Sequence, residues 1–181
     1  MAQTREKHLV RGMIAGAGAG CAAAWLMNQF MSGPGEKLHH AVESDEQRQA
    51  KEQQRKQGQN NVEQDATMKA SDVIVSTITG GRHLSIEEQR KDAPLVHYGL
   101  GTFAGAIYGG LAEYSPAART GFGAGFGAAL FASGDLVAVP ALHLAPPISQ
   151  FPPSSFVNPF AAHLVYGTAT ELLRRVIRLI L

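Results

Sequence analysis

A glycine at every fourth position inside an uncharged run limits what this chain can fold into. His97, Gly101, Gly105, Gly109 and Glu113 stand four apart between Leu95 and Tyr114. On a helix, residues four apart share a face, so the row makes one continuous ridge. Its three glycines let a second helix backbone come close, as in Gly-xxx-Gly pairing between membrane helices. In water the same glycines would each cost a helix about 1 kcal/mol relative to alanine. Only His97 and Glu113 can ionise in this stretch, and both lie near its ends.

The device recurs. Gly12, Gly16, Gly20, Ala24 and Asn28 form a row in the first apolar run. Gly121, Gly125, Ala129 and Ser133 form another, and Pro159, His163, Gly167, Glu171 and Arg175 a fourth. Each run is about long enough to span a bilayer core. The pattern predicts an all-α fold: an integral membrane four-helix bundle packed through small residues, with a polar helical segment between helices 1 and 2. Its parts are a first transmembrane helix with a basic start over 1–34, an extramembrane segment over 35–94, and a three-helix core over 95–181. The core helices are expected near 95–115, 120–144 and 156–175. A cleaved signal peptide is the rival for the first run. Gly18-Ala19-Gly20-Cys21 even hints at a lipoprotein site, although the usual leucine is missing. The matching small-residue row favours a retained helix.

Residues 36–92 hold most of the charge and 95–173 very little. A net charge of +1 gives no nucleic-acid footprint. Cys21 is the single cysteine, so no intramolecular disulfide can form. Residues 36–58 are polar on every side and read as a solvated helix or a disordered segment, with Glu52 and Lys56 as an i, i+4 pair. The doublet His39-His40 points two ways on a helix, which suits a surface better than a metal. Asn61 with Gln64 suggests a capping box for an amphipathic helix over 62–79. Its apolar face, Ala66, Ala70, Val73, Ile74, Thr77 and Ile78, must meet the bundle, the membrane surface or a partner. Ser85 with Glu88 makes a second capping box, opening a short helix expected to stop before Pro94. Pro140 is expected to kink the third run, and the prolines of 145–155 to hold an extended loop. The charged, apolar C-terminal tail suits an interfacial helix end.

Arg5, Lys7 and Arg11 precede the first run, Arg119 lies between the second and third, and Arg174, Arg175 and Arg178 follow the fourth. The loop 145–155 has no basic residue. The positive-inside rule puts both termini in the cytoplasm. His97, His143 and His163 then share the outer half of the bundle. Glu113 and Glu171 lie about 24 Å deeper, near the inner face, and Asp135 lies between. Ionisable groups in hydrocarbon are costly and seek partners. Three readings compete: structural pairing of Glu113 and Glu171 with Arg119, Arg174 or Arg175; a proton or ion path through Glu171, Asp135 and His163; and a metal or haem site on His97, His143 and His163. No phosphate loop, nucleophile elbow or HExxH helix is present, so neither an enzyme nor a cofactor is expected.

The second half resembles the YagU-like family, small bacterial inner-membrane proteins with a domain of unknown function. The likeness rests on His97 with Glu113 and Pro116, Asp135 with Pro140, Pro146-Pro147, and His163-Leu164-Val165-Tyr166 leading to Glu171 and Arg174-Arg175. It covers roughly residues 95–175. It implies a helical inner-membrane protein of unassigned reaction, loosely linked to acid tolerance. Two functions stay open. One is proton or ion handling, or pH sensing under acid or envelope stress. The other is a structural role, in which the glycine rows join a second copy or a membrane-protein partner within the lipid bilayer.

Overall fold

The computed structural model describes residues 8–56 and 64–181, and among these every regular element is helical. Arg5, Lys7, Asn61 and the Lys56 side chain, all used in the sequence reading, lie outside the described residues. Helix α1 covers Leu9–Met31, and Ser32 caps its end. Pro34 then opens α2, Pro34–Val42, where its missing N–H costs nothing at the first turn. Helix α3 covers Asp45–Lys56 and α4 covers Ala66–Thr79. Helix α4 thus starts four residues later than the sequence suggests. Asp65, not Asn61, is its N-cap, accepting the Met68 N–H at 2.8 Å. Gly80, in the left-handed conformation at φ 73°, ends it.

Ser85 and Glu88 do form a capping box, but the helix they open does not stop before Pro94. Helix α5 runs unbroken over Ile86–Tyr114. Pro94 removes one main-chain hydrogen bond. Packing against α4 before it and α1 after it holds the helix through that gap.

The third run departs most from its sequence pattern. Tyr114 and Ser115 end α5, and Pro116 starts a 3-10 turn over Pro116–Gly123. Gly121, Phe122 and Gly123 all take positive φ there. Helix α6, Ala124–Ser133, begins only after that turn. A wider π turn over Gly134–Ala138 separates it from the short α7, Val139–Ala141. The break therefore falls one turn before Pro140, where the chain absorbs the hydrogen bond that proline cannot give. Short 3-10 turns occupy Ile148–Gln150 and Pro153–Phe156. Helix α8 continues over Val157–Ile180, so the charged tail is an integral part of it.

Helices α1 and α5 mate antiparallel along their glycine rows: Gly12 lies against Gly109, Gly16 against Gly105, and Gly20 against Gly101. A methyl group at Gly105 would sit 2.7 Å from the Gly20 Cα, so neither row tolerates a side chain there. The third row does not pack as spaced. Gly121, Gly125, Ala129 and Ser133 face outward, while Gly123 and Gly127 meet Gly167 and His163 of α8. Residues two apart lie about 200° round a helix, so the face of α6 that docks is the one carrying the buried Gly127 and Phe131, not the one carrying Gly125. Helix α8 lies between α1 and α6, and α2 covers the end of the bundle where α8 begins.

Burial favours small and polar groups over aliphatic ones. Ala15, Ala19, Ala23, Thr170, Glu171 and Arg174 are buried, together with Met27, Tyr108, Phe131 and Tyr166 at the helix contacts. Large apolar side chains such as Leu9, Trp25, Leu95, Phe103, Leu142 and Leu172 face outward. Leu9–Met31 and Pro116–Ala141 are long and apolar enough to cross a membrane. Helices α5 and α8 are as long, but Glu87–Asp92 at one end and Glu171–Arg178 at the other dilute their apolar content. Helix α4 folds back on the start of α5 through Met68 and Ser71. The face expected to pack, Val73, Ile74 and Ile78, is exposed, with Ile78 78% accessible.

Candidate functional site: two tiers of ionisable side chains

Where α1 begins and α5 and α8 end, five charged groups interlock. Glu171 is fully buried. It accepts the Tyr108 hydroxyl at 2.9 Å, Arg174 Nε at 2.8 Å and Nη2 at 3.2 Å, and Arg175 Nε at 2.7 Å. Glu113 accepts Arg178 Nε at 2.9 Å and Nη2 at 3.2 Å, Arg174 Nη1 at 3.5 Å, and the main-chain N–H of His8 at 3.4 Å. Arg174 therefore bridges the two carboxylates, and two guanidiniums grip in the paired geometry that suits arginine. Helical spacing supplies the set, since Glu171, Arg174, Arg175 and Arg178 lie three or four residues apart on one face of α8. Gly12 admits the partner, because a methyl there would collide with the Glu113 side chain.

Arg174 and Arg175 thus meet the carboxylates, while Arg119 is exposed on the turn before α6. Arg178, given no pairing by the sequence, is the principal partner of Glu113. Tyr108 carried no signal beyond lying in an apolar run, and Tyr166 entered only as part of the family likeness. Tyr166 sends its hydroxyl past Gly20 to the Gly101 carbonyl at 2.5 Å, tying α8 to α5 across α1. Phe126 of α6 packs on Tyr108 at 4.6 Å and closes the centre.

The other tier lies toward the opposite end. Asp135, on the π turn, places Oδ2 3.7 Å from His163 Nδ1. That nitrogen donates to the Pro159 carbonyl at 2.9 Å, which fixes its proton there. The close approach of Gly127 to the His163 main chain sets α6 near enough for this pairing. His163 of α8 and His97 of α5 are the groups that face Asp135 electrostatically. His97 Nε2 lies 3.4 Å from the Ala24 carbonyl of α1. Asp135 therefore belongs with the histidines rather than between the tiers. Its side chain is 37% exposed, and that of His163 is 12% exposed.

His143 does not join them. It sits exposed in the turn after α7 at φ 57°. Among the described residues, no three His, Cys, Asp or Glu side chains are spaced to hold a metal, so the proposed histidine triad is not assembled. His39 and His40, expected to diverge, both approach the buried Glu43 from α2, at 3.9 and 3.4 Å.

In the polar segment, two carboxyls lie below their ordinary range. The His83 ring beside Asp72, at 3.0 Å, is the main cause there, with the Leu84 N–H adding to it. For Glu88 the main cause is the Ser85 N–H that it accepts at 2.9 Å.

Comparison with known proteins finds one family model, described as a protein of unknown function, DUF1440, matching residues 81–172. The match includes Asp135, His163, Glu113 and Glu171, and stops before Arg174. No curated protein and no solved structure matches the chain. With just over half of its length covered by that model, the chain belongs to the DUF1440 family of proteins of unknown function.

Proposed function

We propose that this is an integral membrane protein of four spans, formed by α1, α5, the α6–α7 run and α8, that handles protons or senses pH through its outer tier. The observation that carries the reading is the Asp135–His163 pair, a carboxylate and an imidazole facing each other at 3.7 Å in the apolar part of the fold. Histidine is the side chain whose charge changes between about pH 5 and 8. Asp135 stands on the π turn, a segment type frequent at functional sites.

The many large apolar side chains that face outward support the spanning arrangement, because lipid would cover them. Arg11, Arg119, Arg174, Arg175 and Arg178 gather at one end, which favours cytoplasmic termini. The resemblance to YagU-like proteins favours a bacterial inner membrane and an acid-linked role. Glu113 and Glu171 are read as structural, since arginines engage both. A second reading is self-assembly. It is favoured by the outward row Gly125, Ala129 and Ser133, whereas the rows of α1 and α5 already occupy one another.

Purified protein in liposomes holding a pH-sensitive dye tests the first reading. Proton entry, or an acid-induced change in Asp135 surroundings, should exceed that of empty liposomes and vanish in Asp135→Asn and His163→Ala. Neither flux nor acid-induced change in the folded wild type would overturn it. Cross-linking in the same liposomes that Gly125→Leu abolishes would favour assembly instead.

A further inference from the structure

The inner cluster leaves one cation incompletely used. Among the described residues it contains three guanidiniums and two carboxylates. Arg175 is the exposed member: its side chain is 46% accessible, against 5% for Arg174 and Arg178. Its Nε is committed to Glu171 at 2.7 Å, and its plane lies over the Phe122 ring at 5.1 Å. Among the described residues, neither terminal amino group has a protein partner.

The floor beneath it is built at a conformational cost. Phe122 takes φ 53°, which a bulky residue rarely adopts. The ring is nevertheless 58% exposed, so the strained turn is not explained by burying it. What the turn does achieve is to put an aromatic face under a guanidinium, which stiffens the cation and reduces its need for water. Arg119, exposed and without a partner among the described residues, stands three residues earlier on the same turn. No described carboxylate at this end is free to neutralise these cations, since Glu113 and Glu171 are both engaged.

We infer that Arg175, seated on Phe122 with Arg119 on the same turn as that ring, binds a phosphate group, supplied by the headgroup of an anionic phospholipid or by free phosphate. A planar guanidinium with two free amino groups matches two phosphate oxygens. Its height on α8, one residue from the buried network and beside outward-facing Leu172 and Val176, is that of a headgroup if the chain spans the membrane as proposed above; the inference rests on that reading.

Nanodiscs made of phosphatidylglycerol or of phosphatidylcholine, each carrying the purified chain, provide the test, with lipid retained after detergent release counted by native mass spectrometry. The wild type should retain phosphatidylglycerol about tenfold more strongly than phosphatidylcholine. Arg175→Gln should lose that preference. Because Arg175→Gln also removes a contact to Glu171, two gentler variants accompany it. Phe122→Gly relieves the left-handed strain, and Arg119→Gln breaks no protein contact. Both should stay folded and lose part of the preference. Retention undisturbed by millimolar inorganic phosphate identifies the lipid as the source, and displacement by it identifies free phosphate. Equal retention of the two lipids with no phosphate binding, or wild-type preference in all three variants, would overturn the inference. Recovery of the chain in the soluble fraction would overturn the spanning arrangement and this site with it.

Discussion

Tyr108 of α5 donates its hydroxyl to Glu171 of α8 at 2.9 Å, and neither side chain is reached by solvent. The bond links two helices that make little other direct contact, because α1 lies between them along most of their length. It also supplies Glu171 with an uncharged donor beside two arginines, so the carboxylate meets partners from more than its own helix.

Glu171→Gln should be the most damaging single change in this network. It would leave Arg174 and Arg175 without their main counter-charge, at a cost of about 3–5 kcal/mol for a broken buried pair. Tyr108→Phe keeps the ion pairs and removes one hydrogen bond to a charged group, at about 1.5–3 kcal/mol. Denaturant unfolding in detergent micelles would rank them. Equal loss in both would show that the arginines contribute nothing beyond the tyrosine.

Gly105→Ala should destabilise by about 1–3 kcal/mol, since the new methyl meets the Gly20 backbone at 2.7 Å and two helices must part. Gly99→Ala on the same helix meets nothing within 4 Å and should be neutral or slightly stabilising through helix propensity. Thermal unfolding of the two variants side by side separates close packing from any general intolerance of α5 to alanine.

Gly123→Ala should be poorly tolerated, because φ 87° and the Gly167 carbonyl both oppose a side chain. Gly125→Ala should cost little, its nearest neighbour being the Thr120 carbonyl at 3.4 Å. The i, i+4 spacing alone would rank Gly125 as the contact residue. Expression and unfolding temperature of the pair therefore report directly on the phase of α6.

Acid should loosen the α4–α5 hairpin through Asp72 and Glu88. Both carboxyls lie below their ordinary range in the folded chain, because His83 and Leu84 hold Asp72 and Ser85 holds Glu88. A folded value below the unfolded one means stabilisation that is complete above about pH 4 and is lost as pH falls through the lowered folded values. The Leu84 amide donates to Asp72 at 2.5 Å, so its chemical shift should titrate with a midpoint below that of an ordinary aspartate. Asp72→Asn should remove that acidic transition from the Leu84 amide. A midpoint at or above the ordinary value would contradict the assigned contacts.

Cys21 lies exposed near the middle of α1. If α1 spans a bilayer, a water-soluble maleimide should fail to label it in intact membranes and should label it in denaturant. On a Cys21→Ser background, Ser115→Cys and Ser154→Cys should label from opposite sides. Ready labelling of Cys21 in sealed vesicles would count against the span.

The sequence by itself determined that the chain is helical and that α1 and α5 each present a row of glycines. A period of four marks residues that share a face, but not whether that face is packed or which helix it meets. The Ser85–Glu88 capping box was readable because its atoms lie within one turn. Three features depended on tertiary structure. Helix α5 passes through Pro94 because neighbouring helices outweigh one lost hydrogen bond. Which face of α6 docks is decided by the approach of Gly127 to the His163 main chain, which spacing measured from Gly121 cannot register. The pairing of Asp135 with His163, and of Arg178 with Glu113, joins residues 28 and 65 positions apart. Such contacts are set by how helices dock, and docking depends on the summed fit of whole faces rather than on any local pattern.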